Sequence, residues 1–207
     1  PIDRPWEAAP TGETLVVHEI YASLQGESSF VGMPCTFVRL TGCPLRCKWC
    51  DTAYAFQGGK DTSFAEIHRE IDRLGVNLVE LTGGEPLAQP GAKLLIDELI
   101  AKGHKVLIET SGSESLEGLH PETHVIMDVK CPGSGMDGKN LYGNFQLLKA
   151  TDEIKFVMMH RADFDWTMEL IRQEKLDERF KPRLIGVREQ PQLLEAVPCG
   201  VRKQLQP

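Results

Sequence analysis

The chain has 207 residues, a net charge of −7, 41% hydrophobic and 26% charged residues. That length suits one domain with a substantial buried core, residues 1–207. The acidic balance excludes a broad electrostatic grip on nucleic acid or an anionic membrane. No apolar run reaches spanning length, and the polar, proline-rich start is unlike a secretory leader. Neither nucleic acid nor membrane is expected as a partner, and six cysteines without the spread of a disulfide framework point to a cytoplasmic location. Residues 1–14 are expected to be a flexible or processed start, because the chain opens on Pro1 rather than Met.

Taken in order, residues 15–24 read as a strand or ribbon, and 35–40, rich in Thr, Val and Phe, as a clearer strand. Ser63 and Glu66 stand three apart before Ile67, Ile71 and Leu74, the signature of a capped helix ending near Gly75. A strand over 77–81 is broken by Thr82-Gly83-Gly84-Glu85-Pro86, and a helix carrying Leu94, Leu95, Leu99 and Ile100 stops at Gly103. Strands follow at 105–108, 124–129 and 153–158, then a helix over 161–174 and a short strand at 183–187. Strand and helix in alternation imply a parallel sheet with helical crossovers. The expected fold is an α/β, partial, open (β/α) barrel of about six parallel strands with helices outside. In such barrels chemistry gathers at the carboxyl ends of the strands. Every unusual motif here falls at that end: the cysteine loop, the Gly-Gly-Glu-Pro turn, Thr110-Ser111-Gly112 and Lys130-Cys131-Pro132.

Six cysteines sit at 35, 43, 47, 50, 131 and 199, three of them within eight positions. That clustering favours a metal or redox site over a disulfide framework. Thiolates suit iron–sulfur clusters, zinc or copper(I). A four-iron cluster usually takes four cysteines, so three would leave one iron open to an outside ligand. A structural zinc site, or three reduced thiols in a loop, is the plainer alternative, but no fourth ligand follows Cys50 closely. Cys35, Cys131 and Cys199 read as small buried hydrophobes.

The spacing Cys43-x3-Cys47-x2-Cys50, with Trp49 before the last cysteine, resembles the cluster loop of radical S-adenosylmethionine enzymes. The resemblance implies a [4Fe-4S] cluster on Cys43, Cys47 and Cys50, with S-adenosylmethionine on the open iron. Its reductive cleavage would yield a 5′-deoxyadenosyl radical. Trp49 would lie beside the adenine, and Gly84 and Glu85 of the Gly-Gly-Glu-Pro turn would receive the amino end of the cofactor. Ser111, near Glu109 and Thr110, suits the methionine carboxylate or a ribose. Lys130, Cys131 and Pro132, with Ser134, are candidates to close over the adenosine, and Asp51 is a further cofactor contact. For each of these later residues an ordinary polar loop end is the competing reading.

Four features narrow the family. Leu24-Gln25-Gly26-Glu27 precedes the strand at 35–40, and Arg39 shares a face of that strand with Phe37 and Thr41. Asp51-Thr52 follows the last cysteine, and the chain is short. An arginine facing a barrel interior is costly unless an anion pairs with it, and a substrate carboxylate is the natural partner. Together, over about 16–130, these features resemble the 7-carboxy-7-deazaguanine synthases of queuosine and other 7-deazapurine biosynthesis. The resemblance implies a lyase that contracts the ring of 6-carboxy-5,6,7,8-tetrahydropterin with release of ammonia. Leu24, Gln25, Gly26, Glu27, Arg39 and Thr82 would bind that substrate, and Thr52 would bind Mg2+. It also implies an electron donor such as flavodoxin or ferredoxin, and a homodimer. The carboxylate of Pro207, were it the natural end, would reach the pterin's amino-pyrimidine edge. The competing readings are a glycyl-radical-enzyme activase, an electron carrier and a zinc-stabilised interaction domain.

Overall fold

Alternating strands and helices are what the chain folds into, and the computed structural model describes residues 13–180 and 182–186. Among these residues the strands are β1 (Thr14–Leu24), β2 (Pro34–Leu40), β3 (Lys60–Ser63), β4 (Leu78–Gly83), β5 (Lys105–Thr110), β6 (His124–Lys130), β7 (Glu153–Met158) and β8 (Arg183–Gly186). They form an open sheet in the order β3-β1-β2-β4-β5-β6-β7-β8. The helices are α1 (Phe64–Leu74), α2 (Ala92–Ala101), α3 (Arg161–Glu174) and α4 (Leu176–Arg179). None is long and apolar enough to cross a membrane. The expected open α/β sheet is present. Its first edge differs from an all-parallel one: β1 runs antiparallel to both β2 and β3.

The chain divides into two compact units. Among the described residues the first comprises 13–44, 51–110 and 114–126. In it β2, β4 and β5 run parallel, with Arg39 opposite Thr82 and Leu40 opposite Gly83. Cys35, Phe37, Leu78, Leu107 and Ile126 form its apolar centre, with Tyr21 and Phe30 packed against them. Helix α1 buries Phe64, Ile67, His68 and Ile71, a single stripe at helical spacing. Its start is the capping box foreseen from sequence: Ser63 Oγ accepts from Glu66 N, and the Glu66 carboxylate accepts from Ser63 N.

Among the described residues the second unit comprises 45–50, 111–113, 127–180 and 182–186. Here β7 and β8 pair in parallel, and α3 buries Phe164, Leu170 and Ile171. Asp163, fully buried in the first turn of α3, accepts from Gly133 N at 2.7 Å and Met159 N at 2.9 Å. One carboxylate thus fixes both the helix entry and the loop after β6.

Candidate active site

In the first unit the cluster loop leaves the end of β2, and the Gly-Gly-Glu-Pro turn leaves the end of the adjacent β4. Gly84 N donates to Leu40 O at 3.2 Å and Glu85 N to Gly42 O at 2.8 Å. The approach is so close that a Cβ on Gly84 would stand 2.0 Å from Gly42 O and 2.8 Å from the Cys43 Cβ. Glycine is therefore required by contact with the loop. The Glu85 carboxylate is fully buried and accepts from Leu87 N at 3.0 Å and Thr110 Oγ1 at 2.8 Å. It fastens the turn to the end of β5.

Arg39 faces a ready-made partner set. Its Nε donates to Glu19 Oε1 at 2.8 Å and its Nη2 to the Tyr21 hydroxyl at 2.9 Å. Its guanidinium lies 5.9 Å from the rings of both Tyr21 and Tyr54, and Tyr54 itself donates to Glu19 at 3.0 Å. Burial opposes the charge of Arg39, but Tyr21 and Glu19 outweigh it and hold the group more firmly protonated. The anion anticipated for Arg39 thus includes a carboxylate of the chain itself. Sequence reasoning missed Glu19, Tyr21 and Tyr54. Two-residue spacing put Glu19 and Tyr21 on one face, but their meeting with Arg39 needed the β1–β2 register, which slips between Val17 and Glu19.

Of the other substrate candidates, Thr82 is buried on β4 opposite Arg39. Gln25 is buried and structural in its bonding: Nε2 donates to Glu80 Oε2 at 2.8 Å, while Oε1 accepts from Glu27 N and Ser28 N. Leu24 ends β1 and is exposed, as are Gly26 and Glu27. Asp51 is exposed, and Thr52 is half-buried at the start of a 3-10 turn over Ala53–Phe56. Pro207 lies outside the described residues, as does Cys199.

In the second unit the loop bearing Cys47, half-buried Trp49 and Cys50 is strapped to the loop after β6. Lys48 N donates to Ser134 O at 3.1 Å, and Arg46 N to Met136 Sδ at 3.3 Å. Burial raises the Cys47 thiol above its ordinary value, and Lys130 works in the opposite direction. Lys130 bonds Asp128, and Asn140 brackets its backbone, accepting from Lys130 N and donating to Lys130 O, both at 2.9 Å. The Cys131 thiol turns inward to Thr167 at 3.4 Å, and burial pushes it up to about 12. That suits the small-hydrophobe reading of its side chain. Pro132 is exposed. Ser111 is buried, meets Ser113 Oγ at 2.9 Å, and lines a small cleft with Met127, Asn140 and Tyr142.

Cys43, Cys47 and Cys50 are outside any disulfide. Among the described residues no three His, Cys, Asp or Glu side chains are grouped as the ligands of one metal ion are. A cluster of four irons offers a separate iron to each thiolate, so its ligands need not meet at a point. Three soft donors on one loop, with a glycine turn pressed against the first, fit a cluster of this kind.

A parallel strand, a three-thiol loop and a Gly-Gly-Glu-Pro turn laid against it define a radical S-adenosylmethionine enzyme, and residues 37–126 match the Radical SAM superfamily. The chain is 48% identical over 165 residues to a 7-carboxy-7-deazaguanine synthase of Koribacter versatilis, covering 79% of this chain and 73% of that protein. It is 40% identical over 164 residues to that of Chlorobaculum tepidum, covering 78% and 74%. The crystal structure of QueE from Escherichia coli superposes with a TM-score of 0.73 at 26% identity, over 87% of each chain. The chain belongs to the 7-carboxy-7-deazaguanine synthase family.

Proposed function

We propose that the chain converts 6-carboxy-5,6,7,8-tetrahydropterin to 7-carboxy-7-deazaguanine, a radical ring contraction that releases ammonia. What supports this most is the 48% identity to a 7-carboxy-7-deazaguanine synthase across 79% of the chain. Cys43, Cys47 and Cys50 would hold a [4Fe-4S] cluster. With S-adenosylmethionine bound and one electron supplied, such a cluster would provide radical chemistry for hydrogen abstraction from the pterin. The protein's part is to orient the reactants and exclude water.

The backbone of the turn at Gly84 and Glu85 would receive the amino end of S-adenosylmethionine. Ser111, Lys130 and the backbone at Cys131 and Pro132 would meet its adenosine and carboxylate, beside Trp49 and Asp51. Arg39 and Thr82, on neighbouring strands, would take the pterin with the Leu24–Glu27 segment. The guanidinium is preset for a carboxylate by Glu19 and Tyr21, which fix two of its nitrogens. Thr52 would contribute one hydroxyl to Mg2+, a cation that keeps waters and borrows substrate oxygens. A reductant such as flavodoxin or ferredoxin would supply the electron.

Anaerobic turnover of the reconstituted protein tests the reading, with 6-carboxytetrahydropterin, S-adenosylmethionine, dithionite and Mg2+, followed by mass spectrometry. Ring-contracted product with loss of ammonia is expected, and Cys47→Ala should abolish it. Formation of 5′-deoxyadenosine with the pterin untouched would refute the substrate assignment while leaving the radical chemistry standing.

A further inference from the structure

Strand β6 carries Asp128 and Lys130 on one face, and β7 carries Lys155. Lys130 Nζ donates to Asp128 Oδ2 at 2.8 Å, and Lys155 Nζ stands 3.8 Å from the same oxygen. All three side chains are largely removed from water, at 18%, 12% and 5% exposure for Lys130, Asp128 and Lys155. The other carboxylate oxygen, Asp128 Oδ1, is buried without a hydrogen-bond partner among the described residues. Burying charges at this density is expensive, and replacing them by apolar groups often stabilises a fold. Packing alone therefore gives little reason for the trio.

Its placement gives a better one. Cys47 lies between two backbone amides bonded to the loop after β6, Arg46 N to Met136 Sδ at 3.3 Å and Lys48 N to Ser134 O at 3.1 Å, and Lys130 is the last residue of β6. The backbone ties Cys47's loop to the same place through the Lys48–Ser134 bond, while Asn140 brackets Lys130 on both sides of its backbone. Asp163 holds Gly133 between them. The ammonium and the thiol are thus carried on segments that are bonded to each other.

We propose that Asp128, Lys130 and Lys155 tune the reduction potential of the cluster held at Cys47, the two lysines favouring the reduced state and Asp128 opposing them. Reduction adds one negative charge to the cluster, and fixed charges in a site shielded from water act on that charge with little screening. Net charge near the sulfurs is among the levers that set such potentials. The inference rests on Cys47 being a cluster ligand, and its test separates the two claims.

The test is a redox titration, followed by electron paramagnetic resonance, of the anaerobically reconstituted full chain without S-adenosylmethionine. Wild type is compared with Lys130→Met, Lys155→Met and Asp128→Asn, each checked for iron content. For Lys130→Met the ratio of reduced to oxidised cluster at a fixed potential should fall roughly tenfold, a shift of about 59 mV for one electron. Lys155→Met should shift it the same way by less, and Asp128→Asn the opposite way. Opposite signs are a signature that general loosening of the site would not produce. If Lys130→Met loads no cluster, the near-isosteric Asp128→Asn carries the test alone. Potentials that stay put, or shifts of one sign for both Lys130→Met and Asp128→Asn, overturn the inference. A wild-type chain that assembles no cluster overturns the ligand reading and the inference with it.

Discussion

Replacing Gly84 by alanine tests whether the Gly-Gly-Glu-Pro turn positions the cluster loop by direct contact. The new Cβ would stand 2.0 Å from Gly42 O, 2.5 Å from Gly42 C and 2.8 Å from Cys43 Cβ. Ordinary contact between such atoms is about 3.5 Å, so the two segments must part by roughly 1.5 Å at the tightest point. Two of the three obstructing atoms are backbone, which no rotamer change can move aside. Overpacking commonly costs about 1–3 kcal/mol, and a backbone clash belongs at the upper end, about 3 kcal/mol. The bonds placed under load are Glu85 N to Gly42 O and Gly84 N to Leu40 O.

For a chain of this length each kcal/mol lowers Tm by about 2–4 °C, so the variant should melt roughly 6–12 °C below wild type. Displacing the loop at Cys43 should also lower the iron retained per chain after anaerobic reconstitution. Gly26→Ala is the control, because a Cβ there meets nothing within 4 Å. Scanning calorimetry and iron analysis on the three proteins decide the matter. A Gly84→Ala protein that melts with wild type and loads the same iron would refute the claim that this contact sets the loop.

Tyr21→Phe removes the hydroxyl that holds Arg39 Nη2 but keeps the ring stacked on Phe37. Steady-state kinetics should show KM for the pterin raised several-fold with kcat little changed, and stability lowered by about 1 kcal/mol. Gln25→Ala takes a donor from buried Glu80 and releases the amides of Glu27 and Ser28, so urea unfolding should show a loss of about 1–3 kcal/mol. Asp128 sits below the ordinary carboxylate range: burial opposes its charge, and Lys130 and Lys155 prevail. A depressed folded pKa gives stability that is present above the unfolded value of about 3.9 and lost as pH falls through the folded value. Asp128→Asn should therefore flatten the acid limb of the stability–pH curve below about pH 4, and an unchanged limb would count against this account.

How much of this was legible in the sequence depended on whether the signal was local. Helix α1 was readable at both ends, since Ser63, Glu66 and Gly75 act within one turn of where they stand, and both cap bonds form. Strand β7 and helix α3 fell on their expected residues for the same reason. Strand β3 was invisible because Lys60-Asp61-Thr62-Ser63 is polar and buries only Thr62, with pairing to β1 supplying what the side chains lack. Asp128 and Lys155 were passed over because a charged residue within a strand usually points to water. Only the sheet shows both buried against Lys130. The partners of Arg39 were hidden in another way. An anion for Arg39 was expected from its strand position, but its cross-strand neighbour Glu19 depends on a register broken by a bulge.

The buried polar groups around the motifs divide into those whose bonds fix a neighbouring backbone and those that carry a charge held in an ion pair. Glu85, though central to its motif, gives its carboxylate to Leu87 N and Thr110 Oγ1, and Gln25 gives both ends of its amide to Glu80 and to the loop that follows. Cys131 hides its thiol against Thr167. Side chains so engaged act through the backbone they fix: Glu85 holds the turn against β5, which in turn holds Gly84 against the cluster loop. In the proposed site, a cofactor at this motif would meet the glycine backbone, with the carboxylate as the turn's fastening. Arg39 and Lys130 differ, being fixed by neighbours at some nitrogens or along the chain while keeping a charge that a bound group would feel. On that division, substitutions at Glu85 and Gln25 should register first as stability, and those at Arg39 and Lys130 first as affinity or potential.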